Sequence, residues 1–176
     1  MHTRYLLDTN IFIQSHNISY HPSFCDGFWN WLIDGHHADM FYSIDKVYEE
    51  MIKPVKSSDE LSQLLRNQTI PEQMFIGSLS DQKVVDKYRK LMTWAYSNTH
   101  FNPKAIDEFA KPDSADAHLI ATAMAYGYVI VTEERSNPAA KSRILIPDAA
   151  AQFGVDCINM PLLLRKHAYD NFTLKY

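Results

Sequence analysis

Cysteine is scarce in this chain. There are two, Cys25 and Cys157, and they form neither a CxxC pair nor a zinc spacing. A disulfide between them stays open, but a core built from 176 residues does not need one. Long apolar runs are missing too: none approaches the ~18 residues of a membrane-crossing helix. The opening Met1-His2-Thr3-Arg4 leads straight into a short strand-like run, without a basic region ahead of a long apolar stretch. The expectation is a cytoplasmic protein with no signal peptide and no membrane partner. Net positive charge is absent, at -4 formally, so the chain as a whole does not look like a simple electrostatic nucleic-acid binder. No GxGxxG follows any strand-like run, which disfavours a dinucleotide-binding enzyme. There is no internal repeat, low-complexity tract or linker, so residues 1–176 read as a single domain.

What is present is ordinary for a folded protein: 46% hydrophobic and 22% charged residues. Residues 4–8 read as a short buried strand, and Asn10 to about Asn17 as the start of a helix. Residues 22–34 carry Phe24, Phe28, Trp29, Trp31, Leu32 and Ile33 at helical spacing, which points to core packing. His36 and His37 follow Gly35 and suit a helix C-terminal turn better than a metal site. Residues 40–43 form a strand, and Asp45 can cap a helix that stops before Pro54. A polar helix is expected over about 57–67 and an amphipathic one over 81–96. On the latter, Lys83, Lys87 and Lys90 share a face that reads as solvated charge, with a phosphate-contacting stripe as the alternative. Residues 113–126 form a helix closed by Gly127. Residues 128–132 are a buried strand, 143–146 a short extended segment and 147–153 a helical turn. A last strand covers 155–158 and a last helix 160–168. Short apolar strands alternating with helices imply a mostly parallel sheet covered on both faces.

Asp8 stands out because it sits inside the apolar run Tyr5-Leu6-Leu7-Asp8-Thr9-Asn10-Ile11-Phe12-Ile13. Burying an unpaired carboxylate costs several kcal/mol, so something must compensate it. Only a cap to the helix at Asn10 offers a structural excuse. Further acids fall at strand ends or helix starts, where α/β proteins gather functional groups. Glu133 and Glu134 follow the strand at 128–132, Asp113 and Asp116 open the helix before it, and Glu49 and Glu50 lie on the helix after Ser43. Each has a bland reading: Asp113 and Asp116 resemble a capping box, and the glutamates can be surface acids. At about 100° per residue, Glu49 points nearly opposite Val47, while Glu50 lies beside the Val47/Met51 apolar face. Glu50 is therefore expected to face the protein and Glu49 the water. Clustered carboxylates raise one another's pKa unless a cation sits among them, and oxygen-only ligands suit Mg²⁺ or Mn²⁺.

Four segments in order carry a resemblance. They are Leu6-Leu7-Asp8-Thr9-Asn10, Val47-Tyr48-Glu49-Glu50-Met51, Asp116-Ala117-His118-Leu119-Ile120-Ala121-Thr122-Ala123 and Val129-Ile130-Val131-Thr132-Glu133-Glu134. The chain resembles PIN-domain ribonucleases of the VapC-like type and, more narrowly, a bacterial PIN-like family of unassigned function. The resemblance spans nearly the whole chain and implies a PIN-like three-layer α/β/α fold with a central mostly parallel sheet, plus a helical insertion at about 55–100. It implies an acidic site of Asp8, Glu50, Asp116 and Glu134, with Asp8, Asp116 and Glu134 as ligands of Mg²⁺ or Mn²⁺. The fourth role stays open between Glu134 and Glu133, because the family pattern often has Asp there. Asn10, Thr132 and Asp113 are implied as supporting residues. Arg135, Lys141 and Arg143 either hold the RNA backbone or are exposed loop charges. The implied activity is hydrolysis of RNA phosphodiester bonds, with Glu50 orienting the attacking water or taking its proton. The implied partners are an RNA substrate, an antitoxin protein and a second copy of the chain. A dehalogenase-type phosphatase also starts with Asp after a first strand, but it needs an acid where this chain has Asn10. A PIN scaffold acting as a nucleic-acid or protein binding module is the alternative from another class.

Overall fold

Three consecutive apolar residues, Tyr5–Leu7, form strand β1, and all three are buried. Side chains alternate across a strand, so burial of every residue means that both faces of the sheet are covered. The structure is a computed structural model and describes residues 2–52, 60–67 and 69–176. β1 is the middle strand of a five-stranded sheet. Its neighbours are β2 (Phe41–Ile44) and β4 (Val129–Val131), and the edges are β3 (Phe75–Ile76) and β5 (Cys157–Ile158). All four pairings are parallel, in the order β3-β2-β1-β4-β5. Leu6 pairs with Tyr42 on one side and Ile130 on the other.

The chain winds outward from β1 to β2 and β3, then returns to the other side for β4 and β5. The winding therefore reverses between β1 and β4. In an open parallel sheet that reversal leaves a crevice beyond the carboxyl ends of the two strands. Asp8 follows β1 directly, and Thr132 follows β4.

Helices form the outer layers, giving a three-layer α/β/α architecture. Helix α1 (Thr9–Gln14) leaves β1 at once and runs into a π-helical turn, Ser15–Ser19. Helix α2 (Asp26–His37) packs its aromatic residues against β2, with Trp31 and Phe41 ring centres 4.7 Å apart. Gly35 lies inside α2 rather than at its end. A Cβ there would come within 2.0 Å of the Phe41 ring, so this glycine serves close approach. The helix therefore runs three residues past the expected stop at Asp34.

Helix α3 (Asp45–Ile52) follows β2 without a break. The part of the expected polar helix that is described is α4 (Glu60–Arg66). Its predicted start, like Pro54 and the start of the expected insertion, lies outside the described residues. Within 60–100 the chain also forms β3 and the long helix α5 (Gln82–Ser97), which packs on α7 (Ala115–Tyr126). The lysine-bearing face of α5 is largely solvated, with Lys90 reaching over the Phe153 ring. A short helix α6 (Pro103–Phe109) was not anticipated. Gly127, with φ of +72°, ends α7 in the left-handed conformation its position predicts. Residues 143–145 lie outside regular structure, with Leu145 extended, and pair with no strand among the described residues; α8 (Ile146–Ala151) starts one residue before Pro147. After β5 and α9 (Met160–His167) the chain ends in a small antiparallel hairpin, β6 (Ala168–Tyr169) and β7 (Thr173–Leu174). Both cysteines are free. Among the described residues no helix is long and apolar enough to cross a membrane.

Candidate active site

Asp8 occupies the N-cap position of α1, yet its side chain makes no capping hydrogen bond to that helix. Helix capping therefore explains little of a carboxylate here, the Thr9 N–H being a lesser influence on it than Thr132. Instead its Oδ2 accepts from the Thr132 hydroxyl at 2.8 Å, across the reversal between β1 and β4. Asn10 Nδ2 lies 3.5 Å from the same oxygen, at the outer limit of a hydrogen bond. Asp8 is 2% exposed. Burial pushes its pKa up from 3.8 to about 6; the Thr132 bond works against that shift, while the charges of Glu134 and Glu50 add to it.

Asp116, on the first turn of α7, is raised further, to about 7. Burial is the main cause, followed by repulsion from Asp8 and Glu134, with Arg143 acting in the opposite direction. Its side chain keeps 24% of its accessibility, so it is the acid a ligand entering from solvent can reach. Asp8 and Asp116 both line a cleft of about 560 Å³, together with Thr9, Glu50, Ser114 and Arg143. Ile13, Phe109 and Ile144 give this cleft an apolar margin.

Helix α3 turns Glu50 inward, as its spacing from Val47 predicts. Glu50 Oε2 accepts from the Thr9 hydroxyl at 2.5 Å, and Oε1 accepts from the Ala115 N–H at 3.0 Å. Glu49 faces outward and pairs with Lys46. A glutamate 65 residues away thus serves the first N–H of α7. The Asp113/Asp116 capping box does not form: Ser114 is the N-cap and makes no side-chain cap bond. Asp113 is exposed, outside the cleft lining, and its charge acts on Lys46 and Lys111.

The two candidates for the fourth acid point different ways. Glu133 Oε1 accepts from Met160 N–H at the start of α9, and its side chain lines a separate small cavity beside Tyr20. Glu134 is only 7% exposed and directs its charge at Asp8 and Asp116. Its Oε1 accepts from the Arg143 guanidinium, and its Oε2 accepts from Ile146 N–H at the start of α8, at 2.8 Å. Thr132 Oγ1 also accepts from the Glu134 N–H at 3.1 Å, so one threonine ties both acids together. Of the three basic residues suggested for RNA contact, Arg143 lines the cleft, while Arg135 and Lys141 are exposed and lie outside its lining.

Among the described residues no three His, Cys, Asp or Glu side chains converge as a ready-made metal cage. The donor chemistry still fits a hard cation. A buried carboxylate, Asp8, and a partly exposed one, Asp116, line a water-accessible cleft, and Mg²⁺ is commonly held by one or two carboxylates, with water and phosphate oxygens completing its shell. Thr9 was not singled out from sequence, although its hydroxyl holds Glu50 in place. Glu108 and Phe109 of the cleft wall were missed with α6, whose signal is the N-cap Asn102 followed by Pro103 at the first helical position.

No curated protein matches the chain. Among solved structures it is similar to FitAcB from Neisseria gonorrhoeae, with a TM-score of 0.51 and 16% identity, covering 88% of this chain and 96% of that one. At that identity the likeness is one of fold, and it identifies the three-layer architecture as PIN-like. A family model described as a domain of unknown function matches residues 5–170, and the chain belongs to that family, DUF4411.

Proposed function

We propose that this protein is a metal-dependent endoribonuclease that hydrolyses RNA phosphodiester bonds, acting as the VapC-like toxin of a toxin–antitoxin pair. The observation that carries the reading is the pair Asp8 and Asp116, two desolvated carboxylates on the wall of one cleft, both with raised pKa, the charge of Asp8 adding to the rise at Asp116. Holding both acids charged costs stability that Arg143, on Asp116 alone, offsets only in part, and the cleft is open to a cation that would offset the rest. Asp8 and Asp116 would hold Mg²⁺ or Mn²⁺, with Glu134 completing the acidic side. Such an ion, when bound, supplies charge stabilisation on the phosphodiester and lowers the pKa of water.

The protein's own groups have distinct tasks. Thr132 fixes the Asp8 carboxylate and holds its oxygen as an acceptor. Glu50, on the cleft wall and oriented by Thr9, is placed to orient the attacking water and accept its proton. Arg143, the basic residue of the cleft lining, is placed to meet the RNA backbone. The apolar margin of Ile13, Phe109 and Ile144 suits unstacked bases better than a second strand. The VapC-like reading adds an antitoxin partner, and the PIN-like scaffold supports it.

A second reading has one observation in its favour. Glu50 and Glu134 are each engaged by a backbone N–H at a helix start, so both have structural work without catalysis. On that reading the chain is a PIN scaffold that binds nucleic acid or protein without cutting it. Cleavage of labelled RNA by purified protein with Mg²⁺ or Mn²⁺, beside Asp8→Asn and Asp116→Asn, separates the two. The nuclease reading expects a loss of at least ~100-fold in each variant. Equal cleavage by wild type and variants points to a contaminant, and no cleavage by any of them favours the scaffold.

A further inference from the structure

The least explained side chain at the site is Arg143. It is 60% exposed on a segment without regular structure, yet its guanidinium is turned into the acidic cleft. It pairs with Glu134 Oε1 and lies 3.8 Å from Asp116 Oδ2. The backbone that carries it is anchored on both sides. Asp148 accepts from the Ser136 hydroxyl and from Asn137 N–H at 2.9 Å. Nearer to Arg143, Asn102 N–H donates to the Lys141 carbonyl at 2.8 Å, and the His100 ring lies 3.0 Å from the Ala140 carbonyl. These ties hold the segment that carries the arginine against the cleft through contacts that do not involve its own side chain.

The consequence falls on Glu134. One of its oxygens is taken by Arg143 and the other by Ile146 N–H. Glu134 lines a neighbouring depression with Thr132 rather than the main cleft, and no three-acid cage exists among the described residues. We propose that Arg143 is the site's built-in counter-ion: it competes with the divalent cation for Asp116 and Glu134, and so sets how tightly the cleft binds metal. This rests on the reading that the cleft holds such a cation. A positive side chain beside a doubly charged ion raises the free energy of the bound state by direct repulsion. The ion must also displace the guanidinium from the two acids it serves. Arg143 therefore acts as a positioning residue for the acids and weakens cation binding.

The test is Mn²⁺ binding by calorimetry at pH 7.5 on the full chain, for wild type, Arg143→Gln and Arg143→Lys. The proposal expects Arg143→Gln to bind Mn²⁺ roughly ten-fold more tightly than wild type. Arg143→Lys keeps the charge and is expected within about two-fold of wild type. Arg143 is exposed, so both variants should fold, and unchanged far-ultraviolet dichroism checks this. Mn²⁺ bound by wild type with equal or weaker binding by Arg143→Gln overturns the counter-ion role and leaves the nuclease reading standing. Absence of Mn²⁺ binding in wild type overturns the metal-site reading, and this inference with it. Tightening in both variants shows that the fork geometry, and not the charge, restrains the acids; that contradicts the proposal as stated.

Discussion

Asp8 and Asp116 stand where the fold penalises their charged forms. Both have an ordinary value of 3.8, and in the folded protein they titrate near 6 and 7. Between those limits the native state holds more protons than the unfolded chain. The stability these two acids contribute is therefore greatest at low pH, falls as pH rises from about 4 to about 7, and is level above that. Asp8→Asn removes its share of the loss. The metal-free variant is expected to be more stable than wild type by about 2–3 kcal/mol at pH 8 and close to it near pH 4, measured by urea unfolding at the two pH values. An Asn variant less stable than wild type at pH 8 would mean that the carboxylate is well compensated in the fold. The same substitution should remove activity, since a group kept at a cost to stability is commonly one that function requires. Asp8 was legible from sequence because it lies between the apolar segments Tyr5-Leu6-Leu7 and Ile11-Phe12-Ile13. Glu134 was not separable from Glu133, because the two follow the same strand and only the positions of α8 and α9 decide where each carboxylate goes.

At the scale of elements, the acids double as helix-start acceptors. Glu50 serves α7, Glu134 serves α8 and Glu133 serves α9, each through the first N–H of its helix. The sequence offered a local cap for α7 in Asp113 and Asp116, and the fold uses a residue from another helix instead. Caps of that kind leave no mark in a short window, which is why this one was invisible. Glu50→Ala is expected to cost about 1–2 kcal/mol in thermal or urea unfolding, whereas Glu50→Gln, whose amide oxygen still accepts, should recover most of it. Glu133→Ala should cost a similar amount through α9 while leaving cleavage near wild type; a collapse of cleavage in that variant would return Glu133 to the site. Gly35 makes the opposite point. Glycine next to a histidine pair reads as a helix end, yet the helix continues and the residue clears space for the Phe41 ring. Gly35→Ala should lower stability by about 1–3 kcal/mol through overpacking, despite alanine's better helix propensity, and a stabilised variant would contradict that contact.

For the whole molecule, the apolar runs at β1 and β4 were readable as strands, as were the helices beside them. Strand β3, two residues long, carries too little pattern to be seen, and α6 was overlooked although its N-terminal signal is present. The strand order is what gives the site its place. Because the winding reverses between β1 and β4, Asp8 and Thr132 meet, and α7 brings Asp116 to the same crevice. A cation in that crevice is the central claim. The most direct measurement is anomalous diffraction from crystals of the protein soaked in Mn²⁺. The account predicts a peak about 2.0–2.6 Å from carboxylate oxygens of both Asp8 and Asp116. A crevice without a peak, in crystals where Mn²⁺ is seen elsewhere or not at all, would contradict it.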